Sequence, residues 1–144
     1  TITGASKLRI HWGVEAFPEG ADWNKGVNRE PIMLIMFFGT EKISSGSMFV
    51  PASPYFIGAF LGKTDTIGKT YVGRTFKQGG RYVCLANPKL GETVVNEYDF
   101  ATAFKTFFKK DSVPDISALS FEIDTTGTAT GKSKAFIKKI EFLR

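Results

Sequence analysis

The chain has only one cysteine, Cys84, and one histidine, His11, among its 144 residues. A single cysteine excludes a disulfide within the chain, so an oxidising compartment is neither required nor ruled out. A zinc site of the usual type needs three or four histidine or cysteine ligands, which these two residues cannot supply. Cys84 lies in the apolar run Tyr82–Leu85, and we expect it to be a small buried hydrophobe.

Long apolar segments and known catalytic motifs are also missing. The most apolar run, Ile32–Phe38, is far shorter than the roughly 20 residues that cross a bilayer. Gly62–Thr64 reads Gly-Lys-Thr but lacks the glycine spacing of a phosphate-binding loop. No two carboxylates stand out as the pair that a glycosidase requires, and no EF-hand is present. We therefore expect neither catalytic residues nor a cofactor, and leave open a structural calcium ion near Asp22 or Asp124.

What the chain does contain is enough apolar material for a folded core. Hydrophobic residues make up 42% of the sequence, and phenylalanine alone occupies 14 positions. This length and composition predict one globular domain over residues 1–144. The net charge of +5 is modest. Lysines crowd the C-terminal third, but the phenylalanines among them have the spacing of buried residues, so nucleic-acid binding is not expected.

Apolar and polar residues alternate along several short segments, which is typical of β-strands with one buried face. Leu8–Val14 shows this pattern, and Ile32–Phe38, apolar on both faces, predicts a central strand covered on both sides. Near the C-terminus, two alternating runs flank a polar, glycine-rich loop and predict two neighbouring antiparallel strands. Further strands are predicted at Thr70–Phe76 and Tyr82–Leu85, joined by a tight hairpin at Gly79-Gly80.

One segment has the period of a helix. Its phenylalanines fall on one helical face: Phe100, Phe104, Phe107 and Phe108. Asp99 precedes them and can cap the first turn by accepting a free backbone N–H. These patterns together predict a mainly β protein, an antiparallel β-sandwich with one short amphipathic helix near residues 99–110.

The order of these motifs resembles the bacterial family known as domain of unknown function 3047. The resemblance lies in the segments Leu8–Val14, Pro18–Asp22, Ile32–Phe38, Asn96–Phe100, Ile116–Thr125 and Ala135–Phe142. It implies a jelly-roll sandwich similar to galactose-binding and carbohydrate-binding modules, without catalytic residues. It also implies an exported protein, in an extracellular or periplasmic setting. Members of the family usually carry additional N-terminal strands, so an exposed sheet edge is expected to need a neighbouring domain or chain.

We therefore predict a noncatalytic, carbohydrate-binding module that is secreted or forms part of a larger protein. Sugar rings stack on exposed aromatic side chains, and Trp23 lies in a polar loop without an evident core role. Arg9, His11 and Glu15 lie on the polar face of the first strand and complete the predicted ligand-binding surface. Two alternatives remain open: an assembly subunit that completes its sheet with a partner strand, and a jelly-roll polysaccharide hydrolase or lyase.

Overall fold

Two β-sheets pack face to face in the computed structural model, which describes all 144 residues. One short helix lies beside them, so the predicted mainly β sandwich is confirmed. The strands are β1 (Lys7–Ala16), β2 (Glu30–Ile43), β3 (Ser53–Leu61), β4 (Thr70–Tyr71), β5 (Gly80–Ala86), β6 (Val94–Tyr98), β7 (Ile116–Asp124) and β8 (Lys134–Leu143). The helix, α1, spans Phe100–Phe108, and a single 3-10 turn covers Trp23–Lys25.

The smaller sheet has three antiparallel strands in the order β6-β1-β8, and the larger has five in the order β4-β5-β3-β2-β7. Pairing in the larger sheet is antiparallel except between β3 and β5, which run parallel. A parallel pair needs a crossover connection. Residues 62–79, which include β4, form it and return the chain to the end of the sheet where β3 began.

The main core lies between the sheets, where alternate residues of the facing strands meet. Leu8, Ile10, Trp12 and Val14 of β1 are all fully buried there. The inward residues of β2 face them, and the outward residue Met33 is buried as well. Ile35 and Phe37 on the outer face are only partly buried, so the prediction that Ile32–Phe38 is covered on both faces is confirmed only in part.

The helix closes one side of this core. Asp99 caps it as predicted, because its carboxylate accepts the backbone N–H of Thr102 at 2.9 Å. Phe100 and Phe104 are buried, and the ring centroid of Phe104 lies 4.9 Å from that of Phe38. Nine residues are too few for a stable isolated helix, so α1 depends on this docking. No helix has the length and apolar character that a membrane crossing requires.

The structure corrects two sequence predictions. The C-terminal strands β7 and β8 are not neighbours, because the loop between them carries the chain from the larger sheet to the smaller. The tight hairpin at Gly79-Gly80 is also wrong, since β4 contains only Thr70 and Tyr71 and a longer loop follows it. Gly80 has no positive φ. It is needed because a Cβ at this position would overlap the ring of Phe56.

Candidate functional site

Three of the predicted ligand-binding residues lie on the outer face of the smaller sheet. Glu141 forms ion pairs there with Arg9 at 3.9 Å and, when the imidazole is protonated, with His11 at 3.6 Å. Glu15 pairs with Lys134 at 2.9 Å. All three predicted residues are thus engaged with charges of their own sheet, on a flat and partly exposed surface.

Trp23, the fourth predicted residue, lies on the opposite side of the sandwich. Only 7% of it is exposed, so the prediction of an exposed ring is wrong. The 3-10 turn lays the indole on the outer face of the larger sheet, 5.1 Å from the ring of Phe60 and 4.7 Å from that of Tyr82. The four predicted residues therefore do not form one surface, and a ligand-binding role for each stays a prediction.

Local hydrogen bonds hold the Trp23 turn on the sheet. Asp22 caps it by accepting the backbone N–H of Asn24 at 2.9 Å, and Gly26 ends it with a left-handed φ of 77°. The buried carboxylate of Asp65 accepts the backbone N–H of Trp23 at 2.6 Å. Burial raises the pKa of Asp65, and the hydrogen bond from Trp23 opposes that shift.

A pocket of about 440 Å³ opens beside this turn. Its walls come from the turn and the segment after it, the loop after β4, and the end of β7. The side chains that bring chemistry to it are Trp23, Arg29, Arg74, Tyr82, Glu122 and Asp124. Its volume falls within the range of about 300–1,000 Å³ that is common for small-molecule sites.

Some charged side chains around the pocket form ion pairs within the chain, and others do not. Arg29 Nε lies 3.4 Å from Asp124 Oδ1 and donates to the carbonyl oxygen of Thr126 at 2.6 Å, so this pair forms a fixed wall. Arg74 and Glu122 belong to none of the ion pairs of the chain and are exposed. These two side chains are free to contact a bound molecule.

Glu30 lies beneath the pocket and is 1% exposed. Strict alternation along β2 would turn it toward the main core together with Ile32. A break in the β2–β7 register between Glu30 and Met33 instead brings its carboxyl group beside Glu122. The protonated carboxyl group can donate to the Glu122 carboxylate, whereas the indole Nε1 of Trp23 lies nearby without a well-aligned hydrogen bond.

The protonation states around the pocket follow from burial. Burial, together with the neighbouring carboxylates of Glu122 and Asp124, raises the pKa of Glu30 to about 10, while the Trp23 indole acts in the opposite direction. Glu30 is therefore protonated at neutral pH and can both donate and accept. Burial, with the charges of Glu122 and Glu30, raises the pKa of Tyr82 to about 12, so its phenol keeps its proton.

Several reactive groups near the pocket are buried or already paired. Glu30 does not line the pocket, so it has no direct path to a bound molecule. Burial raises the pKa of Cys84 to about 12, and its buried thiol is a poor nucleophile. No group of three or more histidine, cysteine, aspartate or glutamate side chains is arranged to hold a metal ion. Asp124, one of the two residues considered for calcium, already binds Arg29.

Apart from Trp23, the residues around this pocket are not among the ligand-binding residues predicted from the sequence. A glutamate directly before the most apolar strand is unusual, and this is the one signal in the sequence that points to Glu30. Glu122 was one of several scattered carboxylates without a partner in the sequence. Arg74 and Tyr82 come from the crossover and the strand after it, and nothing in their local sequence links them to Trp23.

Comparison with known proteins adds no relative. No protein-family model matches the chain, and neither the curated proteins nor the solved structures contain a match. The resemblance to domain of unknown function 3047 therefore remains a prediction.

Proposed function

We propose that this chain is a noncatalytic carbohydrate-binding module whose ligand occupies the pocket beside Trp23. One observation carries the proposal. The indole Nε1 of the buried Trp23, which lines the pocket, has no hydrogen-bond partner in the chain. Buried polar groups without partners are rare in folded proteins, because each loses the hydrogen bonds that it would make with water.

The chemistry around the pocket matches sugar hydroxyl groups. A hydroxyl both donates and accepts, and the exposed Glu122 carboxylate and Arg74 guanidinium offer an acceptor and a set of donors. The Tyr82 ring supplies an apolar wall at the same site. The resemblance to carbohydrate-binding modules supports the same proposal and favours an extracellular or periplasmic setting.

Calorimetric titration against a panel of neutral oligosaccharides tests the proposal. We expect Glu122→Gln and Arg74→Gln each to weaken binding about tenfold, because each removes a charge-assisted hydrogen bond. Arg9→Gln, on the opposite side of the sandwich, is the matched control and should bind as the wild type does. Flat titrations across the panel, or unchanged affinity in both pocket variants, would contradict the proposal. Release of reducing sugar would instead indicate a hydrolase.

A second candidate function, assembly through a sheet edge, is favoured by a different observation. Leu119, Phe121 and Ile123 of the edge strand β7 are 37%, 50% and 52% exposed. Ile2 pairs with the first residue of this edge strand, because Ile2 and Ile116 exchange both backbone hydrogen bonds, at 2.8 and 3.1 Å. An added strand could extend that ladder and cover the apolar residues.

Light scattering after size-exclusion chromatography tests this second candidate. Assembly of the chain with itself predicts an oligomer that Phe121→Ser converts to a monomer. A wild-type chain that stays monomeric at high concentration would contradict self-assembly.

A further inference from the structure

The loop between β2 and β3 carries two large apolar side chains in full contact with solvent. Met48 is 96% exposed and Phe49 is 93% exposed, well above every other large hydrophobic residue in the chain. Isolated apolar residues on a surface are ordinary. Met48 and Phe49 are adjacent in this loop, and together they form an exposed apolar patch that is not packed against the core.

The loop holds this patch in place by hydrogen bonds. Ser45 is 4% exposed, and its hydroxyl donates to the carbonyl oxygen of Val50 at 2.6 Å while accepting the backbone N–H of Ser47 at 3.1 Å. The backbone N–H of Phe76 donates to the carbonyl oxygen of Ser45 at 2.9 Å, which ties the loop to the segment before β5. The exposure of Met48 and Phe49 is therefore built into a fixed turn.

Positive charge surrounds the base of this turn. Arg74 and Lys77 line a cavity of about 300 Å³ with Ser44 and Gly46, and no acidic residue lines it. The exposed Lys42 lies near the end of β2, next to the turn.

Two further cations, Arg81 and Lys110, contact residues at the same end of the sandwich. Arg81 donates to the carbonyl oxygen of Lys77 at 2.7 Å, and its guanidinium lies 5.5 Å from the ring of Phe108. Lys110 lies 5.7 Å from the ring of Tyr55.

Acidic residues are fewer at this end. The exposed carboxylates near these cations are Glu41, Asp111 and Asp115, which is bonded through its backbone to Gly39 of β2, so cations are in excess. Exposed apolar side chains together with neighbouring positive charge are the two features that give reversible binding to anionic membranes.

We propose that this end of the sandwich docks onto an anionic lipid bilayer. Met48 and Phe49 enter the boundary between headgroups and acyl chains, and Arg74, Lys77 and the neighbouring cations contact the phosphate groups. Met48 and Phe49 line neither the cavity at the base of the turn nor the pocket beside Trp23, and a bilayer accepts an exposed apolar side chain without a matching cavity. This surface shares Arg74 with the pocket beside Trp23, whereas Met48, Phe49 and Lys77 lie outside that pocket.

Vesicle co-sedimentation tests the proposal with the whole chain. Phosphatidylcholine vesicles containing about one-third phosphatidylserine should bind the protein at low salt, and pure phosphatidylcholine vesicles should bind it far more weakly. The double variant Met48→Ser/Phe49→Ser should lose about tenfold or more in partitioning. Ile67→Ser/Leu90→Ser, which removes two other exposed apolar side chains, is the matched control and should partition like the wild type.

A fluorescent reporter distinguishes insertion from attraction by charge alone. Both native tryptophans, Trp12 and Trp23, are buried, so emission from Phe49→Trp is recognisable as that of an exposed indole. Insertion predicts a blue shift when anionic vesicles are added, and quenching by brominated acyl chains. No binding to anionic vesicles, equal binding by the serine variant, or an unshifted reporter would overturn the proposal. Capture of a peptide or glycan by the patch without vesicle binding would overturn it as well.

Discussion

Asp65 Oδ1 accepts the backbone N–H of Trp23 across 2.6 Å, out of contact with solvent. This hydrogen bond joins the crossover between β3 and β5 to a turn 42 residues earlier in the chain. It fixes the indole that forms one wall of the candidate pocket. The position of Trp23 is therefore set by a buried carboxylate as well as by aromatic packing.

Removal of this carboxylate should loosen the Trp23 turn. We expect Asp65→Ala to lower the free energy of unfolding by about 1–3 kcal/mol, because the Trp23 N–H would lose its partner in a buried place. Trp23 emission should shift to the red as the indole gains contact with water. Urea titration followed by fluorescence measures both effects. Asp111→Ala removes an exposed carboxylate and is the control; equal stability of the two variants would contradict this role of Asp65.

Glu30 should make the protein less stable as the pH rises. Its pKa is about 10 in the fold and 4.5 ordinarily, so the folded state keeps a proton that the unfolded chain releases between these values. Stability therefore falls with increasing pH across that window. Glu30→Gln retains the shape without the proton and should be more stable than the wild type by ~2 kcal/mol near about pH 8, with little difference near about pH 4.

Chemical denaturation of the wild type and Glu30→Gln at several pH values measures this dependence. Glu41→Gln, at an exposed site, is the control and should follow the wild-type profile. A wild-type profile that matches that of Glu30→Gln would show that Glu30 ionises normally in the fold.

Gly80 should not tolerate a side chain. We expect Gly80→Ala to cost about 1–3 kcal/mol of stability, because the new methyl group would overlap the ring of Phe56 and force a local shift. Replacing that ring with a smaller side chain, in Phe56→Leu, should reduce the loss of stability that Gly80→Ala causes. A double-mutant cycle measured by thermal or urea unfolding gives the coupling between the two sites. Additive effects would indicate that the two residues do not meet.

Phe104 should be essential to the docking of α1. It is fully buried against Phe38 and Tyr55, and Phe104→Ala should cost about 3–5 kcal/mol. Phe107 on the same helix is only half-buried, so Phe107→Ala should cost clearly less. Phe104→Asp should prevent folding, since it would place a charge in the core. Unchanged thermal unfolding of the Phe104 variants would contradict the docked helix.

Much of the fold could be predicted because its signals are local. The alternation through Leu8–Val14, the inward burial of Ile32–Phe38, and the cap at Asp99 each depend on residues close together in the chain. Strand partners do not have this property. β7 and β8 look like a hairpin in the sequence, but each joins a different sheet, and the apolar face of β7 stays partly exposed.

The candidate pocket could not be predicted for the same reason. Trp23, Arg74 and Glu122 meet only because the crossover and the end of β7 both reach the 3-10 turn. The surrounding polar residues suggested that Trp23 was exposed, whereas a neighbouring patch of Phe60 and Tyr82 buries it. Glu30 lies beside Glu122 because of a register break between strands, and no pattern along β2 reveals that break.

The parallel pairing of β3 with β5 has a consequence for how this protein can diversify. The crossover that it demands, residues 62–79, supplies Gly73, Arg74 and Thr75 to the pocket while contributing nothing to the main interlayer core. Substitutions, insertions and deletions after β4 can therefore remodel the recognition surface and leave the scaffold intact. Homologues that share this sandwich are expected to differ most in the sequence of this crossover, and therefore in the ligands that they recognise.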